Sequence, residues 1–251
     1  LTPSPFAGEE KSMAQSKKRR SLPGYLDQSR SLVNSLVMMI PLLAIYEAAL
    51  CLSNFKVQNR FDFLTRFVEE HGFNGLLVFN ALLFTAAVIA VAYLNRRRKF
   101  DPALWPGIVI EGLSYALVLG SFTIVLLTIP GGQTAAARPN PTIVGIGLAL
   151  GAGVYEELFF RLLILGALYT WLTHTVRMQK FPALAFAFVV SSTLFSLSHF
   201  QVPTLANFDV RLFMFRFIAG IALGGIFLVR GLGVAIYTHA IFNVLMILRP
   251  L

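Results

Sequence analysis

Two adjacent carboxylates, Glu156 and Glu157, sit inside a long apolar stretch, and Arg161 follows four residues after the second. On a helix the i,i+4 spacing puts Glu157 and Arg161 on one face, where they can pair. Glu156 is turned by about 100° from Glu157 and by about 140° from Arg161. The pattern predicts one neutralised carboxylate and one left for chemistry. Two later apolar runs carry further polar groups, Phe195-x-x-x-His199 and His239-x-x-x-Asn243. In the second, imidazole and amide share a helical face. Each feature has a plain structural alternative: a buried Glu–Arg pair joins helices, and a lone histidine bonds a backbone carbonyl. Two histidines, an asparagine and a spare glutamate on three apolar helices favour function. Together they supply a base, a proton shuttle and amide-type donors, which hydrolysis of an unreactive acyl bond requires. Glu156, His199 and His239 would also suit a divalent metal such as zinc. However, the sequence has no His-Glu-x-x-His helix, and asparagine is a poor transition-metal ligand. The reading without a metal or other cofactor is favoured, since a metal would leave the asparagine unexplained.

These groups must be positioned by membrane helices. The chain has 251 residues, 56% of them apolar and only 13% charged, with mean hydropathy +0.70. A soluble domain carries about 25% charged residues. The composition excludes a soluble enzyme, a disordered chain and a disulfide scaffold, and Cys51 is the only cysteine. The expected fold is all-α, a polytopic bundle of about seven spans. They run over roughly 32–52, 76–94, 104–129, 142–172, 183–200, 212–229 and 232–248, the last two joined only by Arg230-Gly231. Pro41 is expected to kink the first span. Residues 55–70 suit an interfacial helix, with Phe61, Leu64, Phe67 and Val68 among charged residues. Residues 1–24 read as a basic cytoplasmic tail containing Lys17-Lys18-Arg19-Arg20, and 25–251 as the transmembrane domain.

The net charge of +9 belongs to the ends of apolar spans, so membrane lipid and not nucleic acid is the expected partner. Lysine and arginine are more frequent in the segments that a cytoplasmic N-terminus places inside. The expectation is a cell (inner) membrane protein with its C-terminus outside. Glu47 is a possible cavity residue, and Glu111 is either a cavity residue or satisfied by a neighbouring helix. Gly145, Gly147, Gly151 and Gly153 share the carboxylate helix and are expected to serve close packing. Linear counting puts Glu156 near mid-membrane, His239 somewhat inside of centre and His199 at the outer end of its span. Bringing them together requires tilted helices or a segment 201–211 folded back into the protein.

Glu-Glu-x-x-x-Arg, Phe-x-x-x-His and His-x-x-x-Asn, in this order on successive apolar helices, resemble the CAAX prenyl endopeptidase and bacteriocin-processing (CPBP, or Abi) family of intramembrane proteases. The resemblance spans roughly residues 142–248 as a protease-like core. It implies that Glu156 and His199 activate the attacking water and that His239 and Asn243 bind the developing oxyanion. Glu157 and Arg161 take supporting roles by the same match. The implied activity is hydrolysis of a peptide bond in a membrane-associated protein or peptide. The alternative from another class is a non-catalytic subunit or scaffold of a larger membrane complex, including an immunity-type protein. A transporter has no support, since no internal repeat is visible.

Overall fold

The computed structural model describes residues 24–53, 101–127, 142–200 and 208–248, with Thr85, Ile89, Ala92 and Tyr93 as isolated helical positions. The expected interfacial helix over 55–70 lies outside the described residues. So do the tail over 1–24, except Gly24, and most of the expected second span over 76–94. The described chain is all-helical. In order it comprises α1 (Tyr25–Ser29), α2 (Leu32–Met38), α3 (Ile40–Leu52), a short 3₁₀ turn (Pro102–Leu104) and α4 (Trp105–Leu127). Then follow α5 (Ile143–Glu157), a π-helical segment (Leu158–Ala167), α6 (Leu168–His174), α7 (Lys180–Ser198), α8 (Val210–Arg230) and α9 (Leu232–Leu248). Among the described residues five helical stretches are long and apolar enough to cross a bilayer. They are Leu32–Leu52, Pro102–Phe122, Ile143–His174, Lys180–Ser198 and Val210–Arg230, and α9 is a shorter apolar helix. The protein is a polytopic membrane bundle.

Local chemistry sets the helix ends. Pro41 falls in the first turn of α3, and α2 and α3 meet at Met39, whose backbone stays helical within the single stretch Leu32–Leu52. Proline has no N–H to donate back and is tolerated only in the first turn, so the expected kink becomes a junction between α2 and α3. The Thr142 hydroxyl caps α5 by accepting from the Gly145 N–H at 3.0 Å, and Asp209 caps α8 by accepting from the Arg211 and Leu212 N–H groups. Gly231 alone joins α8 to α9. Its φ of 92° is open to glycine at no steric cost, and a Cβ there would meet the Arg30 Cα at 2.8 Å.

Helix α9 is the centre of the bundle. Its residues 232–240 are all buried, and it packs on α4, α5, α8 and α2. Helix α5 lies between α9 and α3. A Cβ at Gly151 would stand 2.1 Å from the Tyr46 ring, and one at Gly153 would stand 2.5 Å from the Ala240 backbone nitrogen. The small residues let the Tyr46 ring lie against the α5 backbone and let α9 approach to backbone contact. This crossing fixes the C-terminal end of α5, where Glu156 and Glu157 stand.

A second polar cluster ties the opposite end of α8 to α1 and α4. The Arg230 guanidinium donates through Nε to Glu111 Oε1 and through Nη2 to Glu111 Oε2 at 3.0 Å, and also to Ser29 Oγ at 3.1 Å. The Tyr25 hydroxyl donates to Glu111 Oε2 at 2.8 Å. Burial, and then this bond to an anion, push the Tyr25 phenol up to about 12. Glu111 is therefore satisfied by its neighbours and stands apart from the carboxylates of α5. Arg230→Ala leaves Glu111 without its cation and is expected to cost about 3 kcal/mol. Tyr25→Phe is expected to cost about 1 kcal/mol. Thermal unfolding in detergent checks both, and an Arg230→Ala midpoint equal to wild type would show that the cluster holds nothing together.

Candidate active site

Glu156 and Glu157 end α5, and both are buried, at 7% and 0% exposure. The helix then widens to i→i+5 bonding over Leu158–Ala167. Such segments are rare, usually a single turn, and frequent at functional sites. Arg161 lies in this segment, and the pair expected from its spacing forms, with Nη1 at 2.9 Å from Glu157 Oε1. Arg161 Nη2 also donates to the Gly220 carbonyl on α8 at 3.3 Å. Its guanidinium lies 4.4 Å from the Phe195 ring centre.

Glu157 has a second partner. His239 Nδ1 is 2.7 Å from Glu157 Oε1. A carboxylate only accepts, so Nδ1 carries the proton and donates. On α7, His199 Nδ1 is 2.8 Å from the Phe195 carbonyl and must likewise donate. With both Nδ1 positions engaged, each ring turns Nε2 toward the same atom, Glu156 Oε2, at 3.6 Å for His199 and 3.8 Å for His239. Both distances are too long for a direct hydrogen bond. Oε2 is buried and has no direct hydrogen-bond partner among the described residues. The His199 side chain is 29% exposed, against 5% for His239 and 10% for Glu156, so the cluster opens on the His199 side.

Helix geometry explains how three distant residues meet. Helix α5, the π-helical segment and α6 run as one 32-residue stretch, Ile143–His174. At 1.5 Å per residue this exceeds a hydrocarbon core of about 30 Å. Counted from the connection between α6 and α7, Glu156 stands 18 residues from His174 along one arm and His199 stands 19 residues from Lys180 along the other. They are level because the two arms form an antiparallel hairpin. His239 arrives by another route. Helix α9 crosses α5 at the Gly153–Ala240 contact, one turn from Glu157, which sets His239 beside that carboxylate.

Two expected members stand outside these contacts. Asn243, one turn beyond His239, is half-buried, and its Nδ2 donates to the Ala149 carbonyl at 3.4 Å. Ala149 lies seven residues before Glu156, about 10 Å along α5. Glu47 is half-buried on α3, next to Tyr46, whose ring meets that of Tyr155 edge-on at 5.3 Å. It is not a partner in the ion pairs that gather Glu156, Glu157, His199 and His239.

In the sequence Phe195 only opens a motif, but in the fold its ring packs against both histidines and the arginine of the site. It lies 4.9 Å from the His199 ring, 5.7 Å from the His239 ring and 5.3 Å from the Phe160 ring, and it carries the Arg161 guanidinium. Its i,i+4 spacing from His199 was the available signal. Ser191 was missed. Its hydroxyl donates to the Phe160 carbonyl at 2.7 Å and fastens α7 to the π-helical segment.

Zinc would need Glu156, His199 and His239 to converge as ligands. Among the described residues no group of three or more His, Cys, Asp or Glu side chains is arranged to hold a metal ion.

The bundle is thus an integral membrane protein with a buried carboxylate–imidazole cluster at the meeting of three helices. Residues 138–245 match the family described as Type II CAAX prenyl endopeptidase Rce1-like, and this part of the chain is a domain of that CPBP peptidase family. The matched stretch contains Glu156, Glu157, Arg161, His199, His239 and Asn243. Comparison with curated proteins and with solved structures gave no match.

Proposed function

We propose that the protein is an intramembrane endopeptidase that hydrolyses a peptide bond of a membrane-associated protein or peptide by means of a water held between Glu156 and His199. The observation behind this reading is the buried Glu156 Oε2, which two imidazole Nε2 atoms face across gaps of 3.6 and 3.8 Å. Polar contacts longer than 3.5 Å suit a bridging water. That water donates to Glu156 Oε2 and to the unprotonated His199 Nε2. As its oxygen adds to the scissile carbonyl carbon, its proton passes to Glu156. The carbonyl oxygen becomes an oxyanion, stabilised by donors from His239 Nε2 and Asn243 Nδ2. Donation from His239 Nε2 requires the doubly protonated ring; the two cations, His239 and Arg161, then face two anions, Glu157 and either Glu156 or the oxyanion formed as Glu156 takes the proton. Asn243 exchanges its long bond to Ala149 for the oxyanion. Glu156 then returns the proton to the leaving nitrogen, the C–N bond breaks, and the products are a carboxylic acid and an amine.

The lysine and arginine distribution supports an inner-membrane location with the N-terminus in the cytoplasm. Arg216 and Arg230 lie within α8, and setting both aside leaves that bias in place. The reading is tested by comparing new peptide termini in membranes that contain wild type or Glu156→Gln. Termini present only with wild type are expected, and identical sets would overturn the assignment. Because no step passes through a metal, chelation of purified enzyme is expected to change the rate by less than about twofold, well below the effect of losing a general base. Activity lost on stripping and restored by one equivalent of zinc would reverse this.

A further inference from the structure

Three buried or half-buried arginines lie in the described membrane helices. Arg161 is paired with Glu157, and Arg230 is paired with Glu111. Arg216 is different: among the described residues it forms no ion pair. It is half-buried on α8, and an intramembrane charge is functional by default.

Its position follows from the packing of α8 on α7. A Cβ at Gly220 would meet Ser192 at 3.1 Å, and one at Gly224 would meet the Phe188 ring at 2.8 Å, so this face of α8 is turned to α7. Arg216 lies one turn before Gly220 on the same face. The register is fixed again nearby, where the Ser196 hydroxyl donates to the Phe213 carbonyl at 2.7 Å. Arg216 therefore stands level with the end of α7, where His199 sits. Its guanidinium lies 5.2 Å from the ring centre of Phe200, the residue after His199. Glu156 and Asp209 are both within its electrostatic reach, and His199 feels its charge. His199 is also the exposed edge of the cluster.

We propose that Arg216 is a specificity residue that receives a carboxylate of the substrate close to the scissile bond. This rests on the protease reading above. A guanidinium fork matches a carboxylate with two parallel hydrogen bonds, and carboxylates are the ordinary anions of a peptide. Glu156 within its reach sets Arg216 beside the carboxylate–imidazole cluster, and among the described residues no carboxylate is paired with its guanidinium. The carboxylate is either an Asp or Glu side chain or the peptide's own C-terminus.

The test uses the full chain in liposomes with palmitoylated peptide pools of randomised sequence. Each pool is made with Asp and Glu or with Asn and Gln in their place, and each with a C-terminal acid or amide. For wild type, one acid form is expected to show a kcat/KM about 10–100-fold above its neutral counterpart. The side-chain and terminal arms tell the two sources apart. In Arg216→Gln that ratio should collapse to about one, and in Arg216→Lys part of it should survive, as the charge remains without the fork. The lysine variant also keeps the test informative if the glutamine variant folds poorly. A wild-type ratio near one, a ratio unchanged in Arg216→Gln, or a ratio set by anionic lipid in the vesicle would overturn the proposal. Failure of wild type to cleave any pool would overturn the protease reading itself, and this inference with it.

Discussion

Glu156→Gln is expected to lower kcat by about 1,000-fold, the middle of the range for a lost general base, while thermal stability stays close to wild type. The amide cannot take the water's proton, yet it has nearly the same shape. Because Glu156 Oε2 makes no direct hydrogen bond among the described residues, the exchange removes none. The neighbouring histidines give less clean tests. His199→Ala removes the bond from Nδ1 to the Phe195 carbonyl at an exposed helix end, a modest loss. His239→Ala empties a buried position and takes a donor from Glu157, so activity and folding both suffer. Burst-free single-turnover kinetics on folded, purified protein separate these cases. Turnover of Glu156→Gln near the wild-type rate would remove Glu156 from the mechanism, whatever the histidine variants did.

What could be read from the sequence was local. The Glu157–Arg161 pair follows from i,i+4 spacing, the junction before Pro41 from a missing N–H, and the close approaches at Gly151 and Gly153 from their lack of a side chain. The contacts missed are those between distant segments. His239 binds Glu157 across 82 positions, and only the crossing of α5 and α9 brings them together. The sequence suggested that Glu157 had a single partner, Arg161, because only the same-helix partner is visible in spacing. Glu111 similarly found Arg230, 119 positions away. The π-helical segment left no signal, since Leu158–Ala167 is apolar at almost every position and fits any helical period. The difficulty over depth arose from treating every span as a straight crossing. The 32-residue stretch Ile143–His174 is not one, and its excess length is what sets Glu156 level with His199.

Arg161→Ala is expected to destabilise the protein by about 3–5 kcal/mol, the range for breaking a buried ion pair. The arginine is 1% exposed and Glu157 is fully buried. The substitution also removes the bond to the Gly220 carbonyl and the contact with the Phe195 ring. The cost should fall toward the lower end of that range, because Glu157 keeps His239 as a partner. Activity lost in this variant should track the folded fraction. The double change Glu157→Gln with Arg161→Ala separates structure from chemistry. With no lone buried charge it should regain part of the stability, as neutral replacement of a buried pair often does. It should nevertheless be slower per folded molecule than Arg161→Ala, because the doubly protonated His239 then lacks the carboxylate at its Nδ1. Thermal midpoints and single-turnover rates on the same preparations measure both quantities. Were Arg161→Ala fully stable yet inactive, the arginine would act on the substrate directly. Were the double variant as fast per folded molecule as wild type, Glu157 would serve folding alone and His239 would donate without that carboxylate.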